Sequence, residues 1–386
     1  MWFGACTSSI GTWMQIAAQS WLVYKLTNSP FALSKDAFYG QAPIFLLSLF
    51  GGVFADRVSR RLLLLMSQMI QMTCAFTLAF MVHQNLLNKG NIWWIYCLSF
   101  TVGVAQSFGG PAYSALVPSL VGKEDLQNAI ALNSIQFNLA RVVGPALGGI
   151  VLNISAFWCF ALNGLSYLAV IASLLAIHTK FVPAGTQERV LTSMKEGINF
   201  MRKREGMLSL IILAFLIALL SYPLITNLPV IAKTVFHGTS NTFTLFLCIS
   251  GVGSVVGALL IAGRTAQKQA KKSLQALVVL GITISVIGLS RFLPLTSGTI
   301  FMAGSLLMVV FALNTSLVQA QVGDAMRGRV MSVYNVAFRG GMPIGSLICG
   351  YLIEKFSVPV ILAGNGILVV ILALYFLLIQ KKLAKL

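Results

Sequence analysis

The stretch Pro43-Ile-Phe-Leu-Leu-Ser-Leu-Phe-Gly51-Gly52-Val-Phe-Ala-Asp56-Arg57-Val-Ser-Arg60-Arg61-Leu-Leu-Leu-Leu-Met66 sets one acid and three arginines between two apolar runs. Each run extends outward, to about 36–55 and 62–82, which satisfies the roughly 20 apolar residues a helix needs to cross a bilayer. Ten further runs share this character, at about 2–24, 92–115, 127–153, 157–178, 207–229, 241–263, 273–293, 297–319, 330–352 and 357–379. Strands of a membrane barrel would be about ten residues long and alternate in polarity. These runs are long and continuously apolar, so the spans are helices.

Composition agrees. Hydrophobic residues make up 57% of the 386 and charged residues 9%, with a mean hydropathy of +0.86. A water-soluble domain needs roughly 25% charged residues to cover itself. The residues therefore predict an all-α integral membrane protein of twelve transmembrane helices, with the lipid bilayer as its surroundings.

The net charge of +18 would suggest nucleic acid as a partner if the chain were soluble. Position overrules that reading. Of the 27 basic residues, nineteen fall in the even-numbered gaps and the C-terminal tail, six in the odd-numbered gaps, and two, Arg141 and Arg339, inside spans. The positive-inside rule then puts the even gaps and both termini in the cytoplasm. No nucleic-acid partner is expected. The six cysteines lie within apolar spans without a C-x-x-C pair and read as small apolar residues. The first span opens at Trp2 with no basic leader or cleavage site, so it reads as a span and not a signal peptide, behind a missing or mis-assigned start.

The longest polar interruption, about 179–206, divides the chain into an N-terminal bundle (1–178), a central cytoplasmic loop and a C-terminal bundle (207–386). Within it, 193–205 reads as an amphipathic helix, with Met194, Ile198 and Met201 at helical spacing among basic residues. Such a helix either lies on the cytoplasmic lipid interface or serves as a tether. Two echoes mark an internal repeat. Arg141-Val-Val-Gly144-Pro145 returns as Arg339-Gly-Gly-Met-Pro343 at an offset of 198, and Ala55-Asp56-Arg57 returns as Ala262-Gly263-Arg264 at 207. Duplicated halves that bind substrate where they meet are a common build of secondary transporters.

Gly52, Asp56, Arg57, Arg60 and Arg61 reproduce the spacing Gly-x-x-x-Asp-Arg-x-x-Arg-Arg/Lys. In this the chain resembles the major facilitator superfamily, and the resemblance extends over all the spans. Gly11-Thr-Trp-Met-Gln15, Trp21-Leu-Val-Tyr24 and Asn133-Ser-Ile-Gln-Phe-Asn-Leu-Ala-Arg141 look like its branch of drug and siderophore exporters, of the enterobactin-exporter type. The resemblance implies the major facilitator fold, two pseudo-symmetric six-helix bundles working by alternating access. It further implies export of a hydrophobic or amphiphilic small molecule, by proton antiport, through a bacterial inner membrane. On the residues themselves, Asp56 can face a helix terminus and the arginines can pair with it, forming a cytoplasmic gate of two states. The other reading is that the arginines only enforce topology.

Gly144-Pro145 followed by Gly148-Gly149 resembles an element associated with the superfamily's exporters, and physically it reads as a kinked, close-packed helix. Arg141 and Arg339 each cost at least about 2.5–3.5 kcal/mol on insertion scales, so each should face a cavity, an anionic substrate group or backbone carbonyls. Of the nine acids only Asp36 lies within a span, at its outer lip, which makes it the candidate for proton coupling or else an interface charge beside Lys35. His83, His178 and His237 fall at span ends. Trp13, Gln15, Gln19, Gln136, Asn138, Asn314, Tyr334 and Asn335 could line a substrate cavity, or tie helix to helix.

No catalytic motif of converging intramembrane His, Asp or Glu occurs, and no Walker loop, so an enzyme or an ATP-driven pump is not expected. Neither a cofactor nor a metal is expected, and the chain reads as a monomer. A non-transporting receptor, or a lipid or metabolite carrier on the same fold, is the alternative.

Overall fold

The computed structural model describes residues 1–122, 124–177, 190–204, 206–261 and 269–378. Among the described residues every regular element is helical. By contact the chain divides into two compact units, Met1–Gln187 with Gly238–Cys248, and Glu188–His237 with Ile249–Leu386.

The first unit holds α1 (Trp2–Thr27), α2 (Pro30–Arg57), α3 (Arg60–His83), α4 (Trp93–Leu116), α5 (Leu126–Leu152) and α6 (Ala156–Ala176). Two residues join α1 to α2, and the sequence Thr27-Asn-Ser-Pro30 dictates how. Asn28 ends α1 at φ 50°, a left-handed conformation that asparagine tolerates, with its N–H returned to the Tyr24 carbonyl. Ser29 Oγ accepts from Ala32 N at 3.0 Å, and Pro30 takes the first helical position. The cap, not the onset of apolarity, starts this helix. It begins about six residues before the expected edge of the second span, so Lys35 and Asp36 lie within the helix.

The second unit holds α7 (Val190–Arg202), α8 (Met207–Ser221), the short α9 (Pro223–Thr226) and α10 (Leu228–Val230), and a π turn, Ile231–Val235. It continues with most of α11 (Ser240–Ile261), then α12 (Gln269–Leu289), α13 (Leu293–Ala320), α14 (Asp324–Lys355) and α15 (Val358–Leu378). The seventh span thus runs on to Val235 as a broken rod. Pro223 and Pro229 each lack an N–H, which interrupts the helical ladder, and Asn227 reinforces the break by donating both its backbone N–H, at 3.0 Å, and its Nδ2, at 2.9 Å, to the Pro223 carbonyl.

Nine described helices are long and apolar enough to cross a membrane. α1, α2 and α4 match them in length; α1 and α4 fall short in apolarity, and α2 includes side chains outside the described residues. In α1 and α4 the reason is visible in polar side chains such as Gln15, Gln19 and Ser99. With these three, twelve described helices have the length of a membrane span.

Both units repeat one packing pattern. α1 packs on α5 and α6, α3 on α4 and α6, and α2 on α4. In the second unit α8 packs on α14 and α15, and α12 on α13 and α15. A Cβ on Gly253 or Gly257 of α11 would meet the α13 backbone at Phe301 or Ser305, supplying the remaining pair. The pairing of spans one with five and three with six therefore recurs as seven with eleven and nine with twelve.

The linker helix begins a few residues earlier than the 193–205 expected. α7 starts at Val190 and packs on α14. Met201 on its apolar edge is 1% exposed, and Glu196 Oε2 lies 2.9 Å from Arg329 Nη1. Met194 and Ile198 on the same edge are half-buried, and α14 offers both an apolar face and Arg329 to the helix.

Candidate functional site

Three helices of the first unit meet at Asp36. Its side chain is 7% exposed. Gln19 Nε2, from α1, donates to both carboxylate oxygens at 3.0 and 2.9 Å. Ser99 Oγ, from α4, donates to Oδ1 at 2.5 Å and accepts from Gln19 Nε2 at 2.8 Å. Among the described residues no cation lies within ion-pair distance of this carboxylate. Neutral donors alone hold a buried acid inside a span, an arrangement in which its charge is balanced only by taking up a proton or a cation.

The signature residues lie on two helix ends with only Val58 and Ser59 between. Gly52, Asp56 and Arg57 close α2, and Arg60 and Arg61 open α3. The Asp56 side chain lies outside the described residues. Arg60 Nη1 donates to the Ala115 carbonyl at 3.0 Å, in the last turn of α4. Arg61 Nε donates to Leu174 O at 2.6 Å and its Nη2 to Leu175 O at 2.9 Å, in the last turn of α6. Each guanidinium thus caps orphan carbonyls at the negative end of a helix dipole. Arg57 is exposed.

Along α5 the glycines bring helices close. A Cβ on Gly144 would stand 2.5 Å from Trp13 Cβ and 2.8 Å from the Ile10 carbonyl. Gly148 faces Met14, and Gly149 faces Thr244. Pro145 is buried with them. One turn earlier Arg141 lies over the Trp13 ring, 5.9 Å from its centroid. Its repeat counterpart Arg339, on α14, is exposed.

The amides of the expected cavity set mostly tie helices together. Gln15 Oε1 accepts from Asn163 Nδ2 of α6 at 2.7 Å. Gln136 Nε2 donates to Ser9 Oγ at 2.6 Å and to Ala5 O at 3.1 Å, while its Oε1 accepts from Tyr113 Oη at 3.2 Å. Asn138 bonds back to its own helix at Ser134 O. In the second unit Asn314 accepts from Ser273 Oγ at 3.2 Å, and Tyr334 accepts from Thr315 Oγ1 at 3.2 Å. Asn335 is exposed. Gln19 alone of these residues joins Asp36.

Sequence reasoning missed Ser99, Asn163, Tyr113, Glu196 and Arg329. A lone serine or tyrosine in an apolar run carries no periodic signal, so its partner emerges only when the helices pack. The Glu196–Arg329 pair had a trace in sequence, an acid within a basic amphipathic helix.

Residues 1–385 match the family described as transmembrane secretion effectors. The staphyloferrin A transporter of Staphylococcus aureus is 22% identical over 381 residues, covering 97% of this chain and 94% of that protein. The enterobactin exporter EntS of Escherichia coli is 25% identical over 366 residues, covering 93% and 86%. Among solved structures, a POT family transporter in complex with 5-aminolevulinic acid superposes with a TM-score of 0.76 at 14% identity, covering 99% and 95%. A bacterial homologue of the iron transporter ferroportin in an inward-facing state gives 0.69 at 15%, covering 100% and 98%. At such identities these structures speak to the fold.

Proposed function

The chain belongs to the transmembrane secretion effectors of the major facilitator superfamily, and on that premise we propose that it exports a hydrophobic or amphiphilic small molecule by proton antiport. Membership makes it a multi-pass membrane transporter and not an enzyme. The finer reading rests on one observation, the buried Asp36 carboxylate held by Gln19 and Ser99 with no cationic partner among the described residues. A group in that setting can trade a proton for a conformational change, because burial makes its charged state costly unless the site opens to water. Siderophores lead the cargo classes, since the relatives' names speak of staphyloferrin A and enterobactin. Drug-like amphiphiles come second.

In this reading the two bundles, 1–178 and 207–386, alternate access across a bacterial inner membrane with both termini in the cytoplasm. Arg60 and Arg61, seated on the ends of α4 and α6, keep the cytoplasmic end of the first bundle rigid while Asp56 and Arg57 open and close. Everted membrane vesicles energised acid-inside should accumulate cargo, tested with a siderophore panel and a fluorescent drug panel. Collapse of the proton gradient should stop uptake. Uptake unchanged without the gradient refutes the antiport.

A further inference from the structure

The two repeat-related arginines differ in their surroundings. Arg141 is engaged by the Trp13 ring. Arg339 is exposed, and among the described residues no hydrogen bond or ion pair ties it. Yet its helix is a membrane span over Met326–Lys355. Arg339 sits near the middle of that span, about 20 Å along the axis from Met326 at 1.5 Å per residue.

α14 cannot turn this side chain into the bundle. A Cβ on Gly341 would stand 2.5 Å from the Phe215 carbonyl, and one on Gly345 would overlap the Leu219 carbonyl, so this side of the helix is pressed against α8. Tyr334 bonds Thr315, and Phe338 packs on Phe311 with centroids 4.6 Å apart, which fixes the side against α13. Helical spacing leaves Gly328, Ser332, Asn335 and Arg339 on one remaining stripe. Gly328, Asn335 and Arg339 are exposed and Ser332 half-buried. This stripe, polar at Ser332, Asn335 and Arg339, climbs from the end carrying Arg327 and Arg329 to the middle of the span.

We propose that Arg339, with Asn335 one turn away, is a subsite for a carboxylate group of the transported molecule, reached along this stripe from the cytoplasmic side. The assignment rests on the export reading above and sharpens its cargo to a carboxylate-bearing amphiphile. A guanidinium presents a planar fork that takes a carboxylate through two parallel N–H bonds, and Asn335 adds a further amide donor. An anionic lipid headgroup offers similar chemistry but lies at the membrane surface, well above this depth.

The full chain in nanodiscs separates these cases. The probes are pyrenebutyrate and its neutral primary amide, with phosphatidylglycerol added in a separate arm. Wild type should bind the carboxylate at least about tenfold more tightly than the amide, the scale of a charge-assisted hydrogen bond. Arg339→Ala should remove that preference, lowering carboxylate affinity far more than amide affinity, and Arg339→Lys, which keeps charge but not the fork, should retain part of it. Asn335→Ala should weaken the carboxylate about threefold. If Arg339→Ala is poorly folded by its helical signal, Arg339→Gln and the lysine variant carry the comparison. No preference in wild type, or a preference that survives every Arg339 variant, overturns the subsite. So does competition by phosphatidylglycerol but not by free butyrate. Carboxylate preference without gradient-driven transport would leave the subsite standing and sink the export reading; transport with equal affinity for both probes would do the reverse.

Discussion

Asp36 shows how a single side chain acquires a role from its neighbours. Its carboxylate accepts from an amide and a hydroxyl, both neutral, on two other helices. Replacing it with asparagine keeps the size and removes the charge that a proton must balance. Asp36→Asn should therefore abolish gradient-driven export in vesicles while leaving exchange of labelled for unlabelled cargo; loss of both together with normal folding would argue that the residue binds cargo and not protons. Ser99→Ala removes one donor of the pair that holds the carboxylate, and it should cost about 1–3 kcal/mol of stability, read as a lower midpoint of thermal unfolding. That Asp36 stands apart from the other acids, at the start of an apolar run, was legible in the sequence. Its enclosure was not, because the partners Gln19 and Ser99 come from other helices, one of them distant in the chain.

At the scale of the element, glycines separate packing from signature. A Cβ on Gly51 would overlap the Ser107 carbonyl of α4, whereas one on Gly52, the signature position, meets nothing within 4 Å. Gly51→Ala should lower the thermal midpoint. Gly52→Ala should leave it unchanged, so any loss of transport in that variant reports a close approach made in another state of the cycle. Equal destabilisation by both would refute this division. On α5, Gly144→Val should destabilise by about 1–3 kcal/mol, since Trp13 Cβ and the Ile10 carbonyl leave no room. The linker helix α7 makes a different kind of contact. Glu196 and Arg329 are partly exposed, so their bridge is worth about 1 kcal/mol or less. Glu196→Arg and Arg329→Glu should each slow transport modestly and the double exchange should restore it. A double variant no better than either single one would mean the bridge is incidental. The glycine pattern could be read from the chain as close packing, but not which glycine meets which backbone.

For the whole molecule, charge asymmetry makes a topological prediction. Lys89 belongs to an odd gap, and Lys203 to the basic end of the central loop. In a cysteine-free background, Lys89→Cys should react with a membrane-impermeant maleimide on intact cells, and Lys203→Cys only after permeabilisation. The reverse pattern would invert the whole assignment, export direction included.

Hydrophobic length and basic gaps by themselves determined that the chain is a multi-pass helical membrane protein built from two related halves, and the spacing at residues 52–61 pointed to its superfamily. Those features are local, or periodic along one helix, and lipid leaves few alternatives to a helix with every backbone group satisfied within itself. The tertiary structure alone decided which polar groups became partners. It closed Gln19 and Ser99 around Asp36, spent Gln15 and Gln136 on holding helices together, packed α7 on α14, and left Arg339 open while engaging Arg141. Such pairings depend on the rotation and depth of each helix against its neighbours. Close contacts at small residues set both, and a linear pattern of polarity does not encode them.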